Sequence, residues 1–410
     1  MAVPNPGLDR VRLTDEIVES LKRGRVFSRA GPGLDTTTEN LTGQVNSLGF
    51  SDDGTRLIAS ADNDRLAVYD VLGGKVHEHH KTGGCRAATY VPPNSNAALY
   101  ISKGGQCIVH LDIATSTQNN FYVGADTSAV ASGQVSAKTT FWKNLFEYPR
   151  ERDEDAFTSL TVHGTGRYFL TVGRGLTKLV RLWETHGKRR SFAHLKIQTE
   201  SFPTATFDPS GLVFAVAYQE RPHGQCIKFF DMRKYSDGPF LCGYFASDRN
   251  PAWLSFSSNG KYVMWTTAEE LTENEHATVL RVCDARTLWE TRKVVAYAQG
   301  ETWAKESIQP EAGFTRDSNY FFCGHADTNI RFWPVEPSAQ KSTQVKDADT
   351  TIGGVLESPV ATLAGHALAS NCVKWNPVYP ILASACQNII LWRPDHPSCF
   401  SVPPEAPQPP

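Results

Sequence analysis

Apolar and polar residues alternate with a period of two along most of this chain, and the pattern is cleanest over residues 202–240. Phe202 to Phe207 alternates, Asp208-Pro209-Ser210-Gly211 places Pro and Gly where a type I turn uses them, and residues 212–218 form a nearly continuous apolar run. A polar tip then leads into Cys226-Ile227-Lys228-Phe229-Phe230-Asp231. The pattern predicts three strands and two turns, the last strand closing on an aromatic residue followed by an acid. Such a small sheet has two apolar faces and cannot bury both alone, so the chain must repeat it.

The same order of turn, apolar strand and aromatic-acid ending recurs on both sides. It runs from Phe50-Ser51-Asp52-Asp53-Gly54 to Tyr69-Asp70, weakly from Ala88 to Leu111-Asp112, and from Val162 to Trp183-Glu184. Beyond the central copy it runs from Phe256-Ser257-Ser258-Asn259-Gly260 to Cys283-Asp284, from Phe314-Thr315-Arg316-Asp317-Ser318 to Trp333-Pro334, and from Trp375-Asn376-Pro377 to Trp392-Arg393. Seven copies predict an all-β chain folded as a single seven-bladed β-propeller of the WD-repeat kind. Trp183, Trp333 and Trp392 are expected to be structural, closing third strands in the core. Blades of about 43 residues need about 300 of the 410 residues, which favours one closed ring over two or three domains.

The surplus divides the chain into an N-terminal arm with a short helix at 1–24, the propeller at 25–395, and a Pro-rich tail at 396–410. Insertions are expected at about 125–156, 268–276 and 336–357. The second and third, charged or rich in Ser and Thr, read as mobile loops. The first passes from small polar residues to four aromatics beside a mixed charge run, which suits either a surface loop on the propeller flank or a partner-docking segment. In the arm, Thr14 is placed to cap a helix with Asp15 and Glu16 in its first turn. Ile17, Val18 and Leu21 share a face, Leu13 is set to staple against Val18, and Gly24 is a stop. Arg25-Val26-Phe27-Ser28 then reads as a lone strand, and the last blade offers it a partner that removes an open edge and closes the ring.

Composition excludes several classes of function. A formal net charge of -2 gives no global electrostatic footprint for nucleic acid, and no apolar run reaches the about 18 residues of a membrane span. Nine cysteines without paired CxxC spacing read as reduced thiols of the cytosol or nucleus. His77-Glu78-His79-His80 is the densest group of metal-ligand types, yet successive residues of a strand point to opposite faces, so no metal site is expected. Gly173-Arg174-Gly175 precedes no helix and reads as a turn rather than a phosphate cradle. Lys22-Arg23-Gly24-Arg25 and Lys188-Arg189-Arg190 read as solvated basic faces, with a nucleic-acid contact as the alternative. No catalytic, cofactor-binding or metal-binding set is expected, and His366 is expected to be structural, joining Ser384 and Trp392 in a buried hydrogen-bond set without the turn Asp that usually completes it. Segments leading into the innermost strands emerge on one rim, which makes Arg86, Arg174, Trp303, Lys305 and Glu306 the candidate partner contacts.

Several stretches together resemble one family. They are Leu13-Thr14-Asp15 with Val26-Phe27, Phe207-Asp208-Pro209 with Gly211-Leu212 and Phe214-Ala215, Asp231 and Arg233 leading to Gly238-Pro239-Phe240, and Ala383-Ser384-Ala385-Cys386 with Asn388 and Trp392. Their order resembles the WD-repeat subunit shared by Set-type (COMPASS) histone-lysine methyltransferase complexes and by cleavage-polyadenylation and protein-phosphatase-1 transcription-termination complexes. The likeness runs from the helix to the last blade. The chain departs from the family in the insertion after the second blade, the polar one after Trp333, and Pro334 where many repeats carry Asp. The resemblance implies a non-catalytic nuclear scaffold without cofactor, whose partners are proteins: a phosphatase-1 targeting scaffold or a Set-type methyltransferase, with the phosphorylated tail of RNA polymerase II as a further target. Two other classes remain open, a receptor for a modified peptide, which needs an aromatic and arginine pocket, and an enzyme, which needs convergent acids or metal ligands in the central channel.

Overall fold

The computed structural model describes residues 12–27, 44–122, 157–336 and 358–395, apart from 62–64, 75, 82–84, 103–104, 106, 174–178, 188–190, 198, 200–201, 248, 273–274, 301–310, 325–326 and 371. Insertion 125–156, residues 337–357 of the third insertion and the tail 396–410 lie outside the described residues.

A one-and-a-half-turn helix, α1 (Asp15–Glu19), opens the described chain, followed at once by β1 (Leu21–Phe27). The first blade holds β2 (Val45–Phe50), β3 (Arg56–Ala61), β4 (Arg65–Asp70) and β5 (Val76–Lys81), and the second β6 (Cys85–Val91), β7 (Asn94–Ser102), β8 (Cys107–Asp112) and β9 (Gln118–Tyr122). The third holds β10 (Phe157–Val162), β11 (Tyr168–Gly173), β12 (Leu179–Glu184) and β13 (Ala193–Lys196), and the fourth β14 (Thr204–Phe207), β15 (Val213–Glu220), β16 (Gly224–Asp231) and β17 (Leu241–Phe245). The fifth holds β18 (Pro251–Phe256), β19 (Tyr262–Thr272), β20 (Glu275–Asp284) and β21 (Glu290–Gly300), and the sixth β22 (Ala312–Phe314), β23 (Tyr320–Gly324), β24 (Ile330–Pro334) and β25 (Ala361–Leu363). The seventh holds β26 (Cys372–Trp375), β27 (Leu382–Ala385) and β28 (Ile389–Pro394), with β1 as its outer strand. Every sheet is four-stranded and antiparallel; the first six are meanders, and in the seventh a three-stranded meander is completed by β1. The innermost strands β2, β6, β10, β14, β18, β22 and β26 touch in that order, and β26 returns to β2, so the ring closes as the seven repeats predict.

Each seam between blades is filled by the apolar face that one blade cannot cover alone. Trp183 and Phe169, stacked with ring centroids 5.7 Å apart, meet Leu99, Ile101 and Phe121 of the second blade. Trp333 and Phe321 do the same against Met264, Leu280 and Val282 of the fifth. The tight turn after each innermost strand is also held by polar groups. Gly211 adopts φ +71°, and a Cβ there would strike the His163 ring of the neighbouring blade, so only glycine fits. In the sixth blade the equivalent left-handed position is filled by Ser318, whose hydroxyl accepts the Asn259 N–H of the blade before it at 3.2 Å.

The ring-closing strand is as expected in role and different in extent. Thr14 Oγ1 accepts the Ile17 N–H at 3.4 Å, and Leu13 and Val18 are buried in one cluster, so the cap forms and both ends of the expected staple enter the same core. The helix, however, stops at Glu19 rather than at Gly24, and the strand begins at Leu21 rather than at Arg25. Pairing explains the difference. Leu21 opposes Pro394 and buries its side chain in the core between the sixth and seventh blades, a gain that a marginal short helix cannot match. Gly24 is therefore no helix stop. It lies where the ladder slips between Arg23 and Arg25, against Arg393 and the Leu391 carbonyl.

Two further expectations are corrected. The central unit has a fourth strand, β17, whose half-exposed pattern on the outer edge of the blade carries too little apolar signal to be read from sequence. Residues 268–276 are not a loop throughout: the backbone continues as strand to Thr272 and resumes at Glu275, with Ala268 opposite Thr278 and Thr272 opposite Glu275. Polar composition suggested a loop, but the main-chain ladder does not depend on side-chain polarity.

Candidate functional site

Because each meander runs in the same sense, the starts of the innermost strands and the hairpins between second and third strands share one face of the ring, the hairpin rim. The tight turns and α1 lie on the opposite face. Arg86, second residue of β6, is exposed on the hairpin rim. Arg174, Trp303, Lys305 and Glu306 lie outside the described residues.

Exposed or half-buried positions on the innermost strands include the polar Asn46, Arg86, Thr158, Thr206, Ser255 and Lys374 and the apolar Phe50, Leu160 and Trp253. Three successive blades contribute a denser group. Glu311, just before β22, is almost buried; its carboxylate accepts the Val373 N–H at 3.2 Å and lies 3.6 Å from Lys374 Nζ. Lys374 Nζ in turn stands 4.3 Å from the ring centre of Trp253 on β18. Burial pushes the Glu311 carboxyl above the usual range, while Lys374 and the Val373 amide pull it back. The lysine thereby joins the fifth, sixth and seventh blades through an ion pair and a cation–π contact. Among the described residues, no three His, Cys, Asp or Glu side chains converge as metal ligands. The strand β5 places His77, Glu78, His79 and His80 on an outermost edge of the first blade.

The buried set around His366 ties the connection between β25 and β26 to the seventh blade. Trp392 Nε1 donates to Ser384 Oγ at 2.7 Å, Ser384 Oγ stands 2.6 Å from His366 Nε2, and His366 Nδ1 faces Cys386 Sγ at 3.2 Å. Cys386 thus occupies the place where a turn Asp was expected to be missing. Without a carboxylate to favour the imidazolium, burial lowers the His366 pKa to about 4. A group whose folded pKa lies below its unfolded value near 6.5 contributes stability that is present above about pH 6.5 and lost as pH falls toward 4. Unfolding free energies at pH 7 and pH 4.5 are therefore expected to differ by about 2–3 kcal/mol more in the wild type than in His366→Asn. Equal pH sensitivity of the two proteins would contradict the neutral buried imidazole.

Several interlocking residues escaped the sequence reasoning. Gln225 is 1% exposed; its amide nitrogen donates to Thr267 Oγ1 at 2.9 Å and the Arg249 carbonyl at 2.6 Å, and its oxygen accepts the Trp265 indole at 3.0 Å. It rivets the fourth blade to the fifth. The available signal was Trp265 itself, since an indole buried in mid-strand needs an acceptor. Thr171 is the corresponding acceptor for Trp183, at 2.9 Å. Trp289, 77% exposed, was also missed. It follows Leu288, which takes φ +54° while its side chain packs against Gly243 of the fourth blade, so the turn after Asp284 turns a leucine inward and leaves the tryptophan outside.

Comparison with known proteins agrees with this architecture. The WD domain, G-beta repeat family model matches residues 35–70 and 357–393, which include the strands of the first and last blades up to β4 and β28. The chain is 25% identical over 391 residues to WD repeat-containing protein 82 of Drosophila melanogaster, covering 94% of this chain and 98% of that protein. It is 23% identical over 378 residues to Set1 complex component swd2 of Schizosaccharomyces pombe, covering 86% and 94% of the two chains. COMPASS component SWD2 of Saccharomyces cerevisiae is 23% identical over 226 residues, 54% of this chain and 58% of that one. With seven closed blades and the repeat signature at both ends of the ring, the chain is a β-propeller that carries WD repeats, similar over 94% and 86% of its length to WD repeat-containing protein 82 and Set1 complex component swd2.

Proposed function

We propose that this protein is a non-catalytic scaffold subunit of a nuclear complex that modifies chromatin or terminates transcription. The observation that carries the proposal is similarity over 86% of this chain to a Set1 complex component. A closed ring with several exposed rims is suited to holding segments of larger partners, with affinity concentrated in a few aromatic or arginine anchors. In this reading a Set-type methyltransferase or a phosphatase-1 targeting scaffold is the partner, and Arg86, with Arg174, Trp303, Lys305 and Glu306, contributes to its docking. The phosphorylated tail of RNA polymerase II is a further target, for which an arginine on the hairpin rim has the right charge. The propeller, with β1 from Leu21 as the outer strand of its last blade, acts as the binding body up to residue 395, with the residues before β1 and 396–410 as arm and tail.

The tagged protein purified from nuclear extract is expected to bring down one of the two partner classes by mass spectrometry, while the isolated chain shows no methyltransferase, phosphatase or nuclease activity. Depletion is expected to disturb histone methylation or transcription termination through loss of the complex. Recovery of neither partner, together with a turnover activity that Glu311→Gln abolishes, would replace the scaffold with an enzyme.

A further inference from the structure

The fifth blade departs from the others in one respect that ring closure does not require. Its outer three strands are 11, 10 and 11 residues long. The corresponding strands of the first blade have six residues each. The inner strand β18 accompanies β19 only as far as the pair Pro251–Thr267. Beyond it, β19, β20 and β21 continue together through the pairs Ala268–Thr278 and Thr272–Glu275 on one side, and Thr278–Tyr297 and Glu275–Gly300 on the other. At about 3.3 Å per residue, the five residues from Ala268 to Thr272 carry a three-stranded tongue about 16 Å past the end of β18 on the hairpin rim.

Along this tongue neither β19 nor β21 has a second strand partner among the described residues. Unpaired main-chain N–H and C=O groups in a row are a template for another strand, and proteins normally blunt such edges with lysine or proline. Here neither is used. Residues 268–278, AEELTENEHAT, contain Glu269, Glu270, Glu273 and Glu275 and no Lys, Arg or Pro. The register sets Glu269 opposite Ala277 and Glu270 opposite His276, and the end of β21, AYAQG at 296–300, is uncharged. By composition, the tongue holds no lysine or arginine of its own to neutralise those carboxylates. Like charge disfavours a second copy of the same edge, whereas a basic strand gains both ladder hydrogen bonds and charge complementarity.

We propose that the blade-five tongue is a docking site for a Lys/Arg-rich extended segment of a partner protein, which adds as a strand to the β19 edge at residues 268–272. The site is separate from the choice of assembly, so a failed nuclear pull-down and a failed tongue experiment are distinguishable outcomes.

The probe is a short fluorescein-labelled peptide of alternating Lys and Val, titrated with the full-length chain and followed by fluorescence anisotropy. One variant carries Glu269→Gln, Glu270→Gln and Glu275→Gln. A second replaces residues 269–277 by Asn-Gly, a two-residue turn that joins the paired Ala268 and Thr278. Both are expected to lose about tenfold or more in affinity, with raised salt weakening the wild type toward them. The same peptide N-methylated at alternate residues, on the register that would face β19, is expected to bind about tenfold more weakly, because it cannot donate to the edge. An acidic peptide of alternating Glu and Val is expected not to bind. If the shortened chain fails to fold, the glutamine variant decides. Absence of binding by the wild type, equal binding by the glutamine variant, indifference to N-methylation, or self-association through the tongue would each overturn the proposal.

Discussion

Deleting residues 1–29 is expected to leave a chain that no longer melts cooperatively or stays soluble. The deletion removes β1, and with it the ladder from Leu21–Pro394 to Phe27–Ile389 that covers the outer edge of β28. It also strips Leu13, Ile17, Val18 and Leu21 from a core that includes Tyr320, Phe332, Leu363, Leu382 and Trp392. Four buried aliphatic side chains at about 1.5–3 kcal/mol each amount to about 6–12 kcal/mol. That is of the order of the whole stability of a folded domain, about 5–15 kcal/mol. Polar ties go as well: the Leu13 N–H donates to Asp317 at 2.8 Å, and Tyr320 donates its hydroxyl to Asp15 at 2.7 Å. A graded version is Ile17→Ala, expected to cost about 2–5 kcal/mol. Differential scanning calorimetry of the truncated and full chains makes the comparison, and an unchanged melting curve after truncation would sink the closure by β1.

Trp183→Ala is expected to destabilise the protein by about 3–5 kcal/mol, whereas excising residues 131–138, which lie outside the described residues, is expected to cost little. The indole is 1% exposed and bears on both sides of a seam. It stacks on Phe169 within its own blade and meets Phe121 of the second blade edge-on at 6.2 Å. Its removal opens a cavity that neighbouring strands cannot collapse to fill, and leaves the wholly buried Thr171 hydroxyl without its indole donor. Trp183→Phe helps to separate the two effects, since it keeps a ring in the seam and leaves a smaller cavity while losing the hydrogen bond. Loop excision acts through closure entropy, which changes by only about 0.6 kcal/mol for each twofold change in loop length. Chemical denaturation of the three variants measures the difference. Equal loss from the alanine substitution and the excision would contradict the placement of Trp183 between blades.

The same seam is solved with different side chains around the ring. The seventh blade uses His366, Ser384 and Trp392, and the third keeps the tryptophan and its hydroxyl partner. In the fourth blade Phe230 takes the closing position and stacks on Phe214 at 5.1 Å. A phenyl ring has no N–H to satisfy, and the residue placed like Thr171 is Val216, buried among apolar groups. In the fifth blade the indole moves to Trp265 on the second strand and finds its acceptor in Gln225 of the blade before. Apolar volume and satisfied donors are kept at each seam, while the residues that supply them change.

The sequence by itself determined the number of blades, the aromatic closing positions, the turn glycines and the need for an N-terminal strand to finish the last sheet. These follow from local regularities: period-two alternation, left-handed turn positions, and apolar faces that must find a neighbour. Tertiary structure decided what depends on contacts distant in sequence. Leu21 became strand because Pro394 and the blade-six core lie beside it, and Cys386 completed the His366 set because the ring brings the last blade against Gly365-His366. Residues 268–276 look like a loop in any local window. They form a tongue because β20 offers a ladder in register on both sides, and backbone pairing carries no signature in side-chain polarity. The Glu311, Lys374 and Trp253 group was invisible for the same reason: its members come from three blades and meet only when the ring is closed.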